Sequence, residues 1–168
     1  MEKAKGKGAS LMVFKVKGKS VQPGMNILHE ELVFRLNGME RIDYRSQRGV
    51  PQRHTSSYVW IAGVEGEGMI VSESGKTPLR AGSLRLFAPE QTFGIENGSQ
   101  AGFGAFLISF DVFREEESQS GQLYALSAET WPPIEMGEVV LPGGRLQAAA
   151  ESIWQRWKST GVAQRMKA

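Results

Sequence analysis

The chain contains no cysteine and only two histidines, His29 and His54. Disulfide scaffolds, thiol nucleophiles and thiolate metal sites are thereby excluded, and the composition is compatible with the cytoplasm, the expected location. Two imidazoles without a thiol cannot complete a coordination sphere from the usual nitrogen and sulfur ligands, so neither a metal nor another cofactor is expected. No run of eighteen apolar residues exists, which leaves no candidate transmembrane helix. The opening MEKAKGKGASLMVFKVKGKS lacks the apolar core and cleavage site of a signal peptide. Catalytic signatures are missing too: there is no G-x-S-x-G, no phosphate-binding loop and no pair of carboxylates on one strand face. Glu115-Glu116-Glu117 reads as a solvated charge cluster, and GVEGEG opens no helix, so the chain is not expected to be an enzyme.

What is present is the balance of a globular protein. The 168 residues are 40% hydrophobic and 23% charged, enough for one domain with a core and too few for two. The net charge of +2 is unevenly spread. Residues 1–53 carry eleven Lys or Arg against five Asp or Glu, and the remainder nine against thirteen. A basic front segment invites a nucleic-acid reading, but its lysines are interleaved with Gly and Ser and lack base-stacking aromatics, which describes a solvated arm better.

From His54 to Asn97, β-rich runs alternate with glycine-bearing turns at the spacing of a sandwich or small barrel. The expected strands are Tyr58 to Val64, Met69 to Glu73, Ser83 to Phe87 and Thr92 to Glu96. Gly66 and Gly68 flank an expected chain reversal, Gly75 a second one, and Pro78 and Pro89 sit at the edges of runs.

The order of these features, a His-bearing segment, a strand, Gly-Glu-Gly, a hairpin, then PLRAGSLRLFAP and Phe93, resembles the cupin barrel of AraC-type transcription regulators. The resemblance implies an all-β, double-stranded β-helix (jelly-roll) domain with one or two C-terminal helices. It also implies an N-terminal arm over residues 1–24, a barrel over 25–142 and a helical dimerisation and linker segment over 143–168. Metal-binding cupins carry a His-x-His pair, a downstream Glu and a further His. Here residue 56 is serine, Tyr58 to Ile61 holds no carboxylate, and Phe93 stands where the last His would be.

Taken in order, residues 1–10 are expected to be disordered and Leu11 to Lys17 to form an edge strand. Ile27 to Leu36 and Met39 to Arg45 are expected to form a hairpin around Asn37-Gly38, the preferred pair for a type I′ turn, with Arg35 opposite Glu40 and Val33 opposite Ile42. Ser46 to Arg53 reads as a polar connection. Gly102 to Phe113 is apolar on both faces and is expected to be a central strand. Arg114 to Gln122 reads as a loop, Leu123 to Pro133 as irregular and Ile134 to Leu141 as a further strand. The apolar period then changes to that of a helix, with Leu146, Ala149, Ala150, Ile153 and Trp157 on one face, widened by Trp154, ending near Gly161. VAQRMKA looks like a second helical start cut off by the terminus.

A barrel pocket is lined by the inward side chains of alternating strands. Ser56, Tyr58 and Trp60 share one face of the strand after His54 and offer a hydroxyl, a phenol and an indole, the makeup of a small-molecule site; Ser57, Val59 and Ile61 share the other. Core packing is the competing role for the two aromatics. Arg85 and Phe87 share a face further on, where an inward arginine would select a carboxylate or a pair of sugar hydroxyls. Arg80, His54 and Phe93 complete the candidate ligand-binding set, with ordinary surface or structural roles as the alternatives. The helix face of Leu146, Ala150, Ile153, Trp154 and Trp157 either packs on the barrel or, as the resemblance implies, mediates homodimerisation.

The expected function is therefore the effector-binding and dimerisation domain of an AraC-type regulator, an activator or repressor that reads DNA through a helix-turn-helix lying outside this chain. A sugar or organic acid is the expected effector. The alternative is a stand-alone, metal-independent cupin epimerase or isomerase, for which His54 with Tyr58 is the available acid–base couple.

Overall fold

The computed structural model of the chain describes residues 13–20, 28–44, 52–98, 102–115, 123–125, 139–142 and 144–160. The expectations for residues 1–10, for most of the connection before Arg53 and for the second helical start lie outside these residues. The elements, in chain order, are β1 (Val13–Ser20), β2 (Leu28–Tyr44), β3 (Arg53–His54), β4 (Tyr58–Ser72), β5 (Gly75–Arg80), β6 (Ser83–Phe87), β7 (Thr92–Asn97), β8 (Phe103–Glu115), β9 (Leu123–Ala125), β10 (Val139–Val140) and α1 (Arg145–Ser159). All strand pairings are antiparallel.

One face of the barrel is the sheet β1-β2-β8-β4-β6-β10, with β9 on the far end of β8; the other is β3-β7-β4-β5. Strand β4 belongs to both. Its first half pairs with β8 and β6, and its second half with β7 and β5. The crossing falls at the glycine-rich Gly63–Gly68 stretch, where the ladder with β8 shifts register between Gly63 and Glu65. Gly66 has φ 66°, and a Cβ there would meet the Gly102 carbonyl oxygen at 2.1 Å. The turn after β5 docks into this bend through Gly82 N–H to Gly63 O at 2.9 Å and Ala81 N–H to Gly66 O at 3.0 Å. The Gly-Glu-Gly run is thus a bend that carries one strand between two sheets, not the chain reversal that its glycines suggest. The reversal at Glu73-Ser74 is where it was expected, with Gly75 at φ 111°.

A second expectation fails for a related reason. Asn37-Gly38 is no hairpin turn, because β2 runs unbroken through it for 17 residues. A type I′ turn needs positive φ at both central residues, and neither has it. Arg35 faces Asp111 and Val33 faces Phe113, both on β8, and the register shifts between Leu36 and Gly38. The same dipeptide makes a bulge once a 13-residue partner is available to pair with both halves. Strand β5 was not expected, since Pro78 lies within it. As it pairs only with β4 among the described residues, the missing N–H costs no ladder bond on its open edge.

The interior is filled by Ile42, Tyr44, Val59, Ile61, Phe103, Ala105 and Leu107 from one sheet and Ile70, Leu79, Phe93 and Ile95 from the other, with Phe87 at the join. A separate cluster covers the back of the first sheet. There α1 lays Leu146, Ala150 and Trp157 on Leu36, Ala62, Phe106 and Ile108, each large buried aliphatic or phenyl side chain contributing about 1.5–3 kcal/mol and each alanine methyl less. Gly144, at φ 69°, precedes the helix without a side-chain cap, so tertiary burial stabilises α1 more than its termini do. Ala149, expected on the buried face, is exposed.

Candidate functional site

The bulge at Asn37 turns its side chain toward the start of β4, where Asn37 Nδ2 donates to Ser57 Oγ at 3.1 Å. Behind them Arg35 Nη2 donates to Asp111 Oδ2 at 2.5 Å. Burial alone would raise the Asp111 carboxyl, but hydrogen bonds from Arg35, Asn37 and Ser57 and the Arg35 charge hold it below the usual carboxylate range.

Beside this group, β3 brings Arg53 over the barrel mouth. Its guanidinium donates to both Glu40 oxygens, at 2.5 and 2.9 Å, and lies near the buried Tyr44 phenol. The Glu40 bond is the main cause that makes Arg53 more basic than usual. Burial pushes the Tyr44 phenol up, and the Arg53 charge offsets this only in part.

Thr55, 4% exposed, staples the rim. Its hydroxyl lies 2.7 Å from the Ala88 carbonyl and 3.0 Å from the Gln91 carbonyl, and its own carbonyl accepts the Glu90 N–H at 2.7 Å. Glu90 takes φ 65°, which turns its carboxylate to 3.2 Å from His54 Nε2, while His54 Nδ1 lies 3.3 Å from Thr92 Oγ1.

These groups frame a cavity of about 610 Å³. Val59, Leu107 and Phe93 form its apolar floor; Asn37, Ser57, Ser109, Glu40, Arg53 and His54 supply polar groups around it, with Gly38, Met39, Thr55 and Ser56 completing the wall. The size and the apolar-floor, polar-rim chemistry are those of a small-molecule pocket.

Of the residues expected to bind ligand, the cavity brings together His54, Ser56 and Phe93. Tyr58 and Trp60 point the other way. Tyr58 is 2% exposed and stacks on Phe110 at 5.7 Å, and Trp60 lies 4.6 Å from the same ring, in a cluster on the outer face of the sheet with Phe34. The pocket takes the opposite face of β4, that of Ser57 and Val59. Burial pushes the Tyr58 phenol up, and His54 and Tyr58 do not converge as an acid–base couple.

Phe87 lies in the interior, stacked on Phe93 at 4.5 Å. Arg85 is half-buried and donates to the Thr77 hydroxyl on β5, away from this cavity. Arg80 is exposed and paired with Glu67 at 2.9 Å. The five helix residues expected at a dimer interface all belong to the cluster on the barrel: Leu146, Ala150 and Trp157 are buried there, and Ile153 and Trp154 are partly buried.

Asn37, Ser57, Ser109, Glu40 and Arg53 were not singled out from sequence. The Asn-Gly pair was their one local signal, since bulges often sit beside binding sites. Among the described residues no group of three or more His, Asp or Glu is placed to hold a metal ion, and no helix is long and apolar enough to cross a membrane.

Comparison with known proteins places this geometry in context. The AraC-like ligand binding domain family matches residues 36–168. No curated protein matches the chain. Among solved structures it is similar to an RmlC-like cupin protein with a double-stranded β-helix fold from Methanocaldococcus jannaschii, at 18% identity over 65% of this chain and 85% of that one, with a TM-score of 0.36. It is similar also to a cupin-superfamily sugar phosphate isomerase from Silicibacter pomeroyi, at 13% identity over 75% and 94% of the two chains, with a TM-score of 0.36. The family match spans the pocket strands and the helix alike, and the chain belongs to the AraC-like ligand-binding domain family.

Proposed function

We propose that the chain is the effector-binding domain of a transcription regulator and that the barrel-mouth cavity is its effector site. The observation that carries this reading is the cavity itself, about 610 Å³, with an apolar floor and hydrogen-bonding groups fixed around it by Thr55, Asp111 and Tyr44. Groups held in place before a ligand arrives lose little freedom on binding. His54, Ser56 and Phe93 act in this site with Asn37, Ser57, Ser109, Glu40 and Arg53.

The same proposal assigns residues 25–142 to the sensor barrel, 1–24 to an arm and 143–168 to a linker and dimerisation segment, with DNA contacted by a helix-turn-helix outside these residues. Ile153 and Trp154, the half-exposed part of the α1 apolar face, are the helix residues left for a second copy. A thermal-shift screen of the protein against monosaccharides and small organic acids tests the reading. A stabilising compound whose effect disappears in Ser109→Leu supports it; stabilisation that survives this substitution, or none from any compound, sinks it.

A further inference from the structure

Among the described residues, each charged side chain of the cavity lining has a partner of opposite sign. Arg53 is the one arginine of the lining, and Glu40, also of the lining, takes two of its donors at 2.5 and 2.9 Å. His54 sits against Glu90, and the Asn37–Ser57 edge is backed by Asp111, whose own cation is Arg35. The neutral groups of the lining that can meet a ligand are the Asn37 amide and the hydroxyls of Ser56, Ser57 and Ser109, Asn37 and Ser57 being also bonded to each other.

We propose that Glu40 is the specificity-determining residue of this site: by occupying the Arg53 fork it makes the cavity select uncharged hydrogen-bonding ligands over carboxylates. The assignment rests on the effector-binding reading above. A carboxylate reaching for the remaining Arg53 donors meets the Glu40 carboxylate beside them, and the charge it would seek is already shared with Glu40 at 2.5 and 2.9 Å. A neutral amide or hydroxyl meets no such repulsion, and discrimination against the carboxylate follows from the group that repels it as much as from any attraction to the neutral ligand.

The test uses the whole 168-residue chain and a matched probe pair, benzamide and benzoate, followed by calorimetric titration and thermal shift. Wild type is expected to take benzamide in preference to benzoate. Glu40→Gln keeps the shape but frees the positive charge, and is expected to raise benzoate affinity about tenfold. Glu40 is exposed at the barrel mouth, so the substitution leaves the core intact, and circular dichroism serves as the control. The benzoate gain must vanish in the double variant Glu40→Gln/Arg53→Gln. Equal binding of both probes by wild type, no gain in Glu40→Gln or a gain that survives loss of Arg53 each overturns the assignment while leaving the effector site in place. If neither protein binds either probe, the assignment falls together with the reading beneath it.

Discussion

Toward the barrel mouth the inward face of β4 and β8 carries Val59, Ile61, Ala105 and Leu107, aliphatic and of modest volume, with Phe103 at the far end of β8; on the outward face the same two strands carry Tyr58, Trp60, Phe106 and Phe110. The inward set leaves room at the barrel mouth, where Ser57 and Ser109 continue the two strands and the cavity opens. The outward set leaves none. Phe106 and Trp60 pack in the cluster under α1, Phe106 lying 5.9 Å from Trp154, and Tyr58 and Phe110 stack in a cluster beside it. Aromatic residues, which look like ligand-stacking platforms in a sequence, here do the work of packing. The groups that these two strands turn into the cavity mouth, Ser57 and Ser109, are small and polar.

If that division is right, variants of the two faces separate into losses of stability and losses of binding. The largest effect is expected for Trp157→Ala, which empties a buried site between α1 and the sheet and costs about 3–5 kcal/mol in urea unfolding. A cost below about 1 kcal/mol would show that the helix contributes little to holding the barrel.

Asp111→Asn comes next, at about 1 kcal/mol near neutral pH, discounted for the half-exposed Arg35. Its effect depends on pH. The folded carboxyl is held below the ordinary carboxylate range, so its contribution is complete above the unfolded carboxyl's range and fades as pH falls through the lowered one. Urea midpoints across the acid range should therefore converge for wild type and variant; a constant gap would remove the charge from the explanation.

Ser109→Leu belongs to the inward face and should cost about 1 kcal/mol or less while abolishing any ligand-induced thermal shift. Arg80→Ala, on an exposed ion pair away from either face, should change stability by less than about 0.5 kcal/mol.

The same contrast explains what could be read from the residues beforehand. Strands β6, β7 and β8 and the helix were legible because each carries its own signal, whether alternation, bounding glycine or a 3.6-residue period. The side of β4 that faces the cavity was not, since both faces are apolar and alternation then fails to say which is inside. Asn37-Gly38 and Gly66-Glu67-Gly68 were misread for a different reason. Each dipeptide or tripeptide permits both a turn and a bulge, and the choice is made by β8, which lies about seventy residues from Asn37 in the chain. Arg53 and Glu40 are 13 residues apart and meet only because β3 pairs with β7, which places Arg53 opposite Phe93.

Leu107 and Phe106 are consecutive, the first in the cavity floor and the second against the Trp154 indole. The peptide between them is a partition with the cavity on one side and the helix on the other. A displacement of that wall from within would meet α1 with no intervening layer to absorb it.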